Sequence, residues 1–194
     1  MNNNMDTHNE TAINKNTKYE DVKDKKPRSY SFQNILDARE ERVKFKDNLI
    51  RDYHKTVIMM RVNYPGIQKD NMLTRNIMNI VDPELRSAFK DYIFHDIKYT
   101  AEGPVTVIAA DETAYDAKKK TVNIEENHIL GRCLDIDVYD SDGKSVSRTE
   151  LGLMPRKCYI CDDAAQNCVR SQKHNKEEII RFINEKYIEY LRNI

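Results

Sequence analysis

Residues 131–150 read GRCLDIDVYDSDGKSVSRTE. Successive side chains of an extended chain point to opposite faces, so Leu134, Ile136 and Val138 share one side and Asp135, Asp137 and Tyr139 the other. One apolar and one polar side describe a strand that rests on a core by one face only. Asp142-Gly143 is a preferred dipeptide of two-residue hairpin turns, so the segment predicts a β-hairpin. With those two residues at the tip, Asp137 faces Arg148 and Asp135 faces Glu150. A slip of one residue would dissolve that grouping.

Working outward, residues 31–53 carry apolar Leu36, Val43, Leu49, Ile50 and Tyr53 on roughly one side and predict a helix. The run KTVIMMRVNYPG, stopped by Pro65-Gly66, predicts a buried strand. NMLTRNIMNIV reads as a helix. Asp82-Pro83 then reads as the start of another, with Asp as N-cap and Pro at the first helical position. Leu85, Phe89, Tyr92 and Ile93 supply its apolar side. VTVIAA, after Gly103-Pro104, predicts a strand. Residues 112–119 read as a loop or short helix, and KTVNIEENHIL as a further strand. The chain closes with an amphipathic helix capped by Asn175 and Glu178, with Ile179, Ile180, Ile183, Tyr187 and Leu191 on its apolar face. This mixture predicts an α+β fold: a mixed sheet with flanking helices and a helical C-terminal part that holds Cys and His residues.

The chain has 194 residues, 39% of them hydrophobic and 33% charged. Residues 1–28 are polar and carry almost no large apolar side chain, which predicts a flexible tail. Residues 29–194 then form a single catalytic domain. Lys plus Arg is 32 and Asp plus Glu is 32, and this balance disfavours a nucleic-acid binder. No apolar run approaches the ~18 residues that span a bilayer, so no membrane role is expected. No secretory signal is read at the N-terminus, which points to the cytoplasm and to reduced cysteines.

The chemistry concentrates in the C-terminal half. Asp135 and Asp137 stand about 6.6 Å apart along one strand face. Two such carboxylates can converge on Mg²⁺, with substrate phosphates completing its shell. Glu150 is a candidate third ligand. A solvated strand face is the plainer reading of Asp-x-Asp, although strand interiors disfavour Asp. Cys158, Cys161, Cys168 and His174 have the ligand types of tetrahedral Zn²⁺ and a C-x2-C first half. Three reduced cysteines, with Cys161 and Cys168 on one buried helical face, are the plainer alternative, and a redox C-x-x-C is the third, without a thioredoxin-like context. Arg132, Arg148, Arg156 and Arg170 suit phosphate recognition. His128 suits a general base or a phosphate donor, or a structural role.

Together these residues resemble the citrate lyase holo-acyl-carrier-protein synthases, the apo-citrate lyase phosphoribosyl-dephospho-CoA transferases. The matching pieces are Glu125 to His128, Gly131-Arg132, Leu134 to Val138, Ser147-Arg148, Arg156 to Cys158, Cys161, Cys168, Arg170 and His174. ILDAREERVKFKDNLI and VNYPGIQKDN resemble the family's opening helix and its strand-to-Pro-Gly segment. The resemblance covers about residues 31–192. Cys133 stands where relatives tend to carry a bulky apolar residue, which argues against an essential thiol there. The resemblance implies a nucleotidyltransferase-like domain. It also implies transfer of triphosphoribosyl-dephospho-CoA to a serine of the citrate lyase acyl carrier (gamma) subunit, with release of pyrophosphate. In that reading Asp135 and Asp137 hold Mg²⁺, while Arg132 and Arg148 bind phosphate with help from Arg156 and Arg170. Rival expectations are the same chemistry on the carrier subunit of malonate decarboxylase, and a non-catalytic zinc-containing interaction module.

Overall fold

The computed structural model describes residues 29–194, so the tail expected over 1–28 lies outside the described residues. The elements in chain order are α1 (Phe32–Tyr53), β1 (Thr56–Val62), α2 (Met72–Ala88), β2 (Tyr92–Thr100), β3 (Gly103–Ala110), α3 (Ala114–Asn127), β4 (Leu134–Tyr139), α4 (Ala165–Ser171) and α5 (Lys176–Arg192). The fold is α+β, as expected. The four strands run in the order β2-β3-β1-β4, and every neighbouring pair is antiparallel, so the sheet is not mixed. The reason is topological: the tight β2–β3 hairpin inserts β3 between β1 and β2, which run parallel and would otherwise pair.

Each sheet face buries one apolar set. Ile58, Met60, Val62, Ile108, Leu134, Ile136 and Val138 pack on Ile77, Met78, Val81 and Leu85 of α2, Ala117 and Ile124 of α3, and Ile183 of α5. Val57, Met59, Val105, Val107 and Ala109 face Leu49 and Ile50 of α1 on the other side. Each fully buried aliphatic side chain contributes about 1.5–3 kcal/mol, and these two layers hold the sheet rigid. α1 starts at a capping box between Ser31 and Asn34 and ends at His54, whose φ of 52° is left-handed. Its buried face is Ile35, Ala38, Leu49 and Ile50, whereas Val43 is exposed. The Asn175–Glu178 capping box of α5 is present.

Four expectations are corrected. First, Asp82-Pro83 does not begin a helix: α2 runs through it to Ala88. Asp82 reaches across the core instead, accepting from His95 Nε2 at 2.8 Å, Thr106 Oγ1 at 2.9 Å and Arg86 Nε at 2.9 Å. Second, Tyr92 and Ile93 belong to strand β2, where almost every residue is half-buried and no alternation marks the strand. Third, residues 121–127 are helical. The buried set Ala114, Ala117, Lys118, Thr121, Val122, Ile124 and Glu125 has helical spacing, but two of its members are charged, and Val122 and Ile124 alone mimic a strand.

The fourth correction is the hairpin. The return chain makes only a bridge from Tyr139 to Ser145 and a bond from Val146 N to Val138 O at 2.9 Å, and it then winds into a 3-10 turn over Thr149–Leu151. A second strand therefore never pairs with Asp135 or Asp137. The turn over Asp140–Lys144 closes through Asp140, whose carboxylate accepts from Asp142 N and Lys144 N.

Burial opposes ionisation of Asp82, but the His95, Thr106 and Arg86 hydrogen bonds outweigh it and hold its carboxyl below the ordinary value. The stability this group contributes is thus complete above pH ~4 and is lost as the pH falls through the lowered value. Asp82→Ala removes the acceptor that His95, Thr106 and Arg86 share in the core and should cost about 3 kcal/mol. Urea melts at neutral pH check this, and a midpoint equal to that of the parent chain would refute the role given to Asp82.

Candidate active site on the edge strand

β4 is an edge strand, so one of its sides has no neighbouring strand. Side chains take up that side. Arg156 Nη1 donates to Leu134 O at 2.7 Å, Ile136 N donates to Glu125 Oε1 at 3.3 Å, and Lys118 Nζ donates to Ile136 O at 2.9 Å. A free edge otherwise invites pairing with another chain. Here it carries three cationic and anionic heads in a row. Arg156 also pairs with Glu125 at 2.8 Å, and Arg148 with Glu126 at 2.7 Å and more loosely with Glu125. Burial raises the Glu125 carboxyl despite Arg156, Lys118 and Arg148. The same burial lowers Lys118.

Asp135 and Asp137 lie on the α1 face of the sheet. Register places Arg61 of β1 directly opposite Asp135. Arg61 Nη2 bonds both aspartates, reaching Asp137 at 3.4 Å. Arg61 Nη1 also meets Glu102, a buried carboxylate at the β2–β3 turn that takes Arg42 Nε at 2.8 Å and Arg39 Nε at 3.2 Å. Burial and then the negative Asp135 push the Asp137 carboxyl up, against Arg61, Lys118 and Arg42. A further cation on this face would relieve that opposition. Two hard oxygen donors two residues apart fit a Mg²⁺ that keeps water and phosphate oxygens in its shell, and the buried Arg61 Nε, which makes no hydrogen bond among the described residues, suits a phosphate oxygen.

A cleft of about 540 Å³ runs beside the β4 edge, lined by Glu126, Arg132, Arg148, residues 153–158 and residues 159–162. Arg132 turns its Nη2 to the carbonyls of Lys157 and Cys158 and lies over the Tyr159 ring. The Tyr159 hydroxyl accepts from Asn63 Nδ2 at 2.6 Å. Burial raises this phenol strongly, and both Arg156 and Asp135 act on it, so the cleft and the acidic face share one electrostatic field.

The remaining sequence candidates divide between the cleft and other places. Arg132, Arg148 and Arg156 come together along the cleft. Arg170 lies exposed on α4, outside the cleft lining. His128 is the C-cap of α3, with Nδ1 accepting from Leu130 N, Nε2 at 3.2 Å from Glu84 and its ring against Tyr190. It joins three helices and does not line the cleft. Glu150 is the clear correction: its carboxylate accepts from Ser147 N at 2.6 Å and Ser147 Oγ at 2.9 Å, and no return strand sets it opposite Asp135. Cys158, Cys161, Cys168 and His174 converge, with their ligand atoms within 4.8 Å of one another. Cys133 is fully buried and its thiol is pushed up to about 12, which suits packing and not nucleophilic work.

Sequence reasoning missed Arg61, Glu102 and Lys118, and quoted Glu125 only within a matching piece, with no role. Arg61 did leave a signal. A lone charge inside the run VIMMRV must find a partner on the neighbouring strands. Glu102 and Lys118 left none, because only the turn and the helix packing bring them to β4.

Residues 30–190 match the family model described as apo-citrate lyase phosphoribosyl-dephospho-CoA transferase. Protein CitXG of Leuconostoc mesenteroides subsp. cremoris is 31% identical over 159 residues, 79% of this chain and 34% of that protein. This chain thus spans about a third of that relative. The apo-citrate lyase phosphoribosyl-dephospho-CoA transferase of Escherichia coli O7:K1 is 30% identical over 154 residues, 77% of this chain and 84% of that protein. The corresponding Shigella boydii serotype 18 protein is 29% identical over the same length. The family match runs from α1 to α5 and takes in the whole acidic face and cleft. The chain belongs to the apo-citrate lyase phosphoribosyl-dephospho-CoA transferase family.

Proposed function

We propose that this chain attaches the phosphoribosyl-dephospho-CoA group to apo-citrate lyase by nucleotidyl transfer. The donor is triphosphoribosyl-dephospho-CoA and the acceptor is a serine of the acyl carrier (gamma) subunit. One observation carries the reading: a single edge strand presents two carboxylates on its face, and the cleft beside it gathers Arg132, Arg148 and Arg156. The serine oxygen forms a bond to the phosphorus nearest the ribose, the bond to the bridging oxygen breaks, and pyrophosphate leaves with that electron pair.

Asp135 and Asp137 are the residues that would hold Mg²⁺, which supplies neutralisation of phosphate charge and favours the ionised serine. Everything else falls to the chain's own groups. Arg132 and Arg148 line the cleft and hold the triphosphate, and Arg156 braces them from the β4 edge. Arg61 Nε is buried and makes no hydrogen bond among the described residues, and Arg148 Nε has only the loose 3.7 Å pair with Glu125, so both have a donor to give to an anion. Arg61 bonds both carboxylates and holds them side by side before substrate arrives. The walls from Leu153 to Asp162 exclude water from one side of the leaving pyrophosphate. Four free thiols suit a reducing compartment such as the cytoplasm.

Intact-mass measurement tests the reading. The chain is mixed with the apo acyl carrier subunit, Mg²⁺ and the triphosphoribosyl precursor. A covalent adduct on the carrier serine with release of pyrophosphate is expected. The absence of any adduct, with the Escherichia coli relative succeeding in parallel, would overturn it. Transfer to a malonate decarboxylase carrier alone would overturn the assignment of the acceptor.

A further inference from the structure

The sequence from Arg156 to His174 carries much chemistry and little core. Apart from Cys168, no residue of this stretch is buried. Its helix, α4, has 7 residues, far below the ~12–15 that hold together on their own in water. Something other than apolar packing must fix this stretch, and the four convergent side chains are the obvious means.

Their arrangement is that of a built site. Lys157 bridges Ala164, Cys158 N donates to Asp163 O at 2.8 Å and Ala165 N donates to Arg156 O at 2.8 Å, so residues 156–165 form a tight knuckle with Cys158 and Cys161 at its tip. A backbone amide points at a sulfur: Ile160 N lies 3.5 Å from Cys158 Sγ. Such outer hydrogen bonds orient and stabilise thiolate ligands. Cys168 comes from α4 and His174 from the segment that leads into α5. Cys161 Sγ stands 3.5 Å from Cys168 Sγ and 3.3 Å from His174 Nε2. Zinc bond lengths imply tetrahedral edges of about 3.8 Å between sulfurs and about 3.6 Å from sulfur to nitrogen. The observed spacings are close to these, and far from the ~2.05 Å of a disulfide.

We propose that Cys158, Cys161, Cys168 and His174 form a structural zinc site that holds the outer wall of the cleft. Three thiolates and one imidazole close the tetrahedron, which leaves no open position for catalysis. The knuckle carries Arg156, Lys157 and Tyr159 into the cleft. Tyr159 stacks on Phe182 of α5 with ring centroids 5.0 Å apart. Zinc thereby ties the cleft wall to the C-terminal helix without touching substrate.

The test measures metal, so it stands apart from the transfer reaction. The full chain is purified without chelator, and its metal content is read by plasma mass spectrometry. Zinc in a one-to-one ratio with the chain is expected. Cobalt loaded in its place should give the intense visible absorption of a tetrahedral thiolate site. His174→Ala should lower zinc affinity at least tenfold, and His174→Cys should restore it. Removal of zinc should open residues 153–175 to protease while the segment from β1 to β4 stays intact. Three outcomes would each overturn the proposal: no zinc even after zinc is added to the reduced chain, zinc unchanged in Cys161→Ser together with His174→Ala, or a Cys161–Cys168 disulfide in the chain as purified.

Discussion

Asp137→Asn should lower prosthetic-group transfer on the order of 10³-fold, the equivalent of about 4 kcal/mol of transition-state stabilisation. The side chain sits on β4 opposite Met59, one strand over from Arg61, and is about a third exposed. Asparagine has the same shape, and its carbonyl oxygen can still accept from Arg61. The charge it removes is one that burial and Asp135 already oppose, so the fold loses nothing by its absence. The thermal midpoint should therefore stay within a degree or two of the parent's, a shift that corresponds to less than about 1 kcal/mol. Activity and stability part company at this position, which is the mark of a group that serves the reaction. Adduct formation followed by intact mass, beside a thermal melt, measures both. Transfer retained within a few-fold would refute the metal-binding role. Glu150→Gln is the matched control. A completed hairpin would make it as harmful as Asp137→Asn, whereas the observed Ser147 and Lys144 contacts make it nearly silent in the transfer assay.

A large effect on stability is expected at Gly131, just before β4. A Cβ there would lie 2.3 Å from Ile124 O and 2.6 Å from Glu125 O. Both are backbone atoms of α3 and cannot swing aside. Gly131→Ala must push α3 away from the 3-10 turn over Gly131–Cys133, and α3 carries Lys118 and Glu125, which cover the β4 edge. A loss of about 3 kcal/mol is expected, at the upper end for an overpacked site, with a fall in midpoint of roughly 6–12 °C. Gly152→Ala gives the contrast. Its φ of 73° is left-handed but nothing lies within 4 Å, so it should cost only about 1–2 kcal/mol. Melting curves for the two variants check the ranking, and equal midpoints would show that the contact between α3 and the turn yields easily.

Two sequence features led directly to the site. The alternation in LDIDVY is set by the two-residue period of a strand, and β4 shows it as a strict buried and half-buried alternation. The cysteine and histidine spacing set out four candidate ligands through short-range chain geometry, and those four side chains do converge. The hairpin misled because Asp142-Gly143 signals a turn but leaves the path of the returning chain open. Ser147 Oγ and Glu150 bond each other across one turn and wind the chain into a 3-10 helix before it can pair.

Local periodicity and capping thus determined α1, β1, β3, β4 and α5, because each carries its own signal within a few residues. The sequence alone also determined that two aspartates share one strand face. Tertiary structure decided what surrounds them. Arg61 meets Asp135 only because β1 and β4 are neighbours in a register set by the whole sheet. Glu102, 41 residues beyond Arg61, joins them only because the β2–β3 hairpin folds back beside β1. Lys118 and Glu125 reach the β4 edge because Gly131 lets α3 pack against the chain that enters it. Charges carry no periodic signature of their own, since their partners are chosen by packing between distant segments.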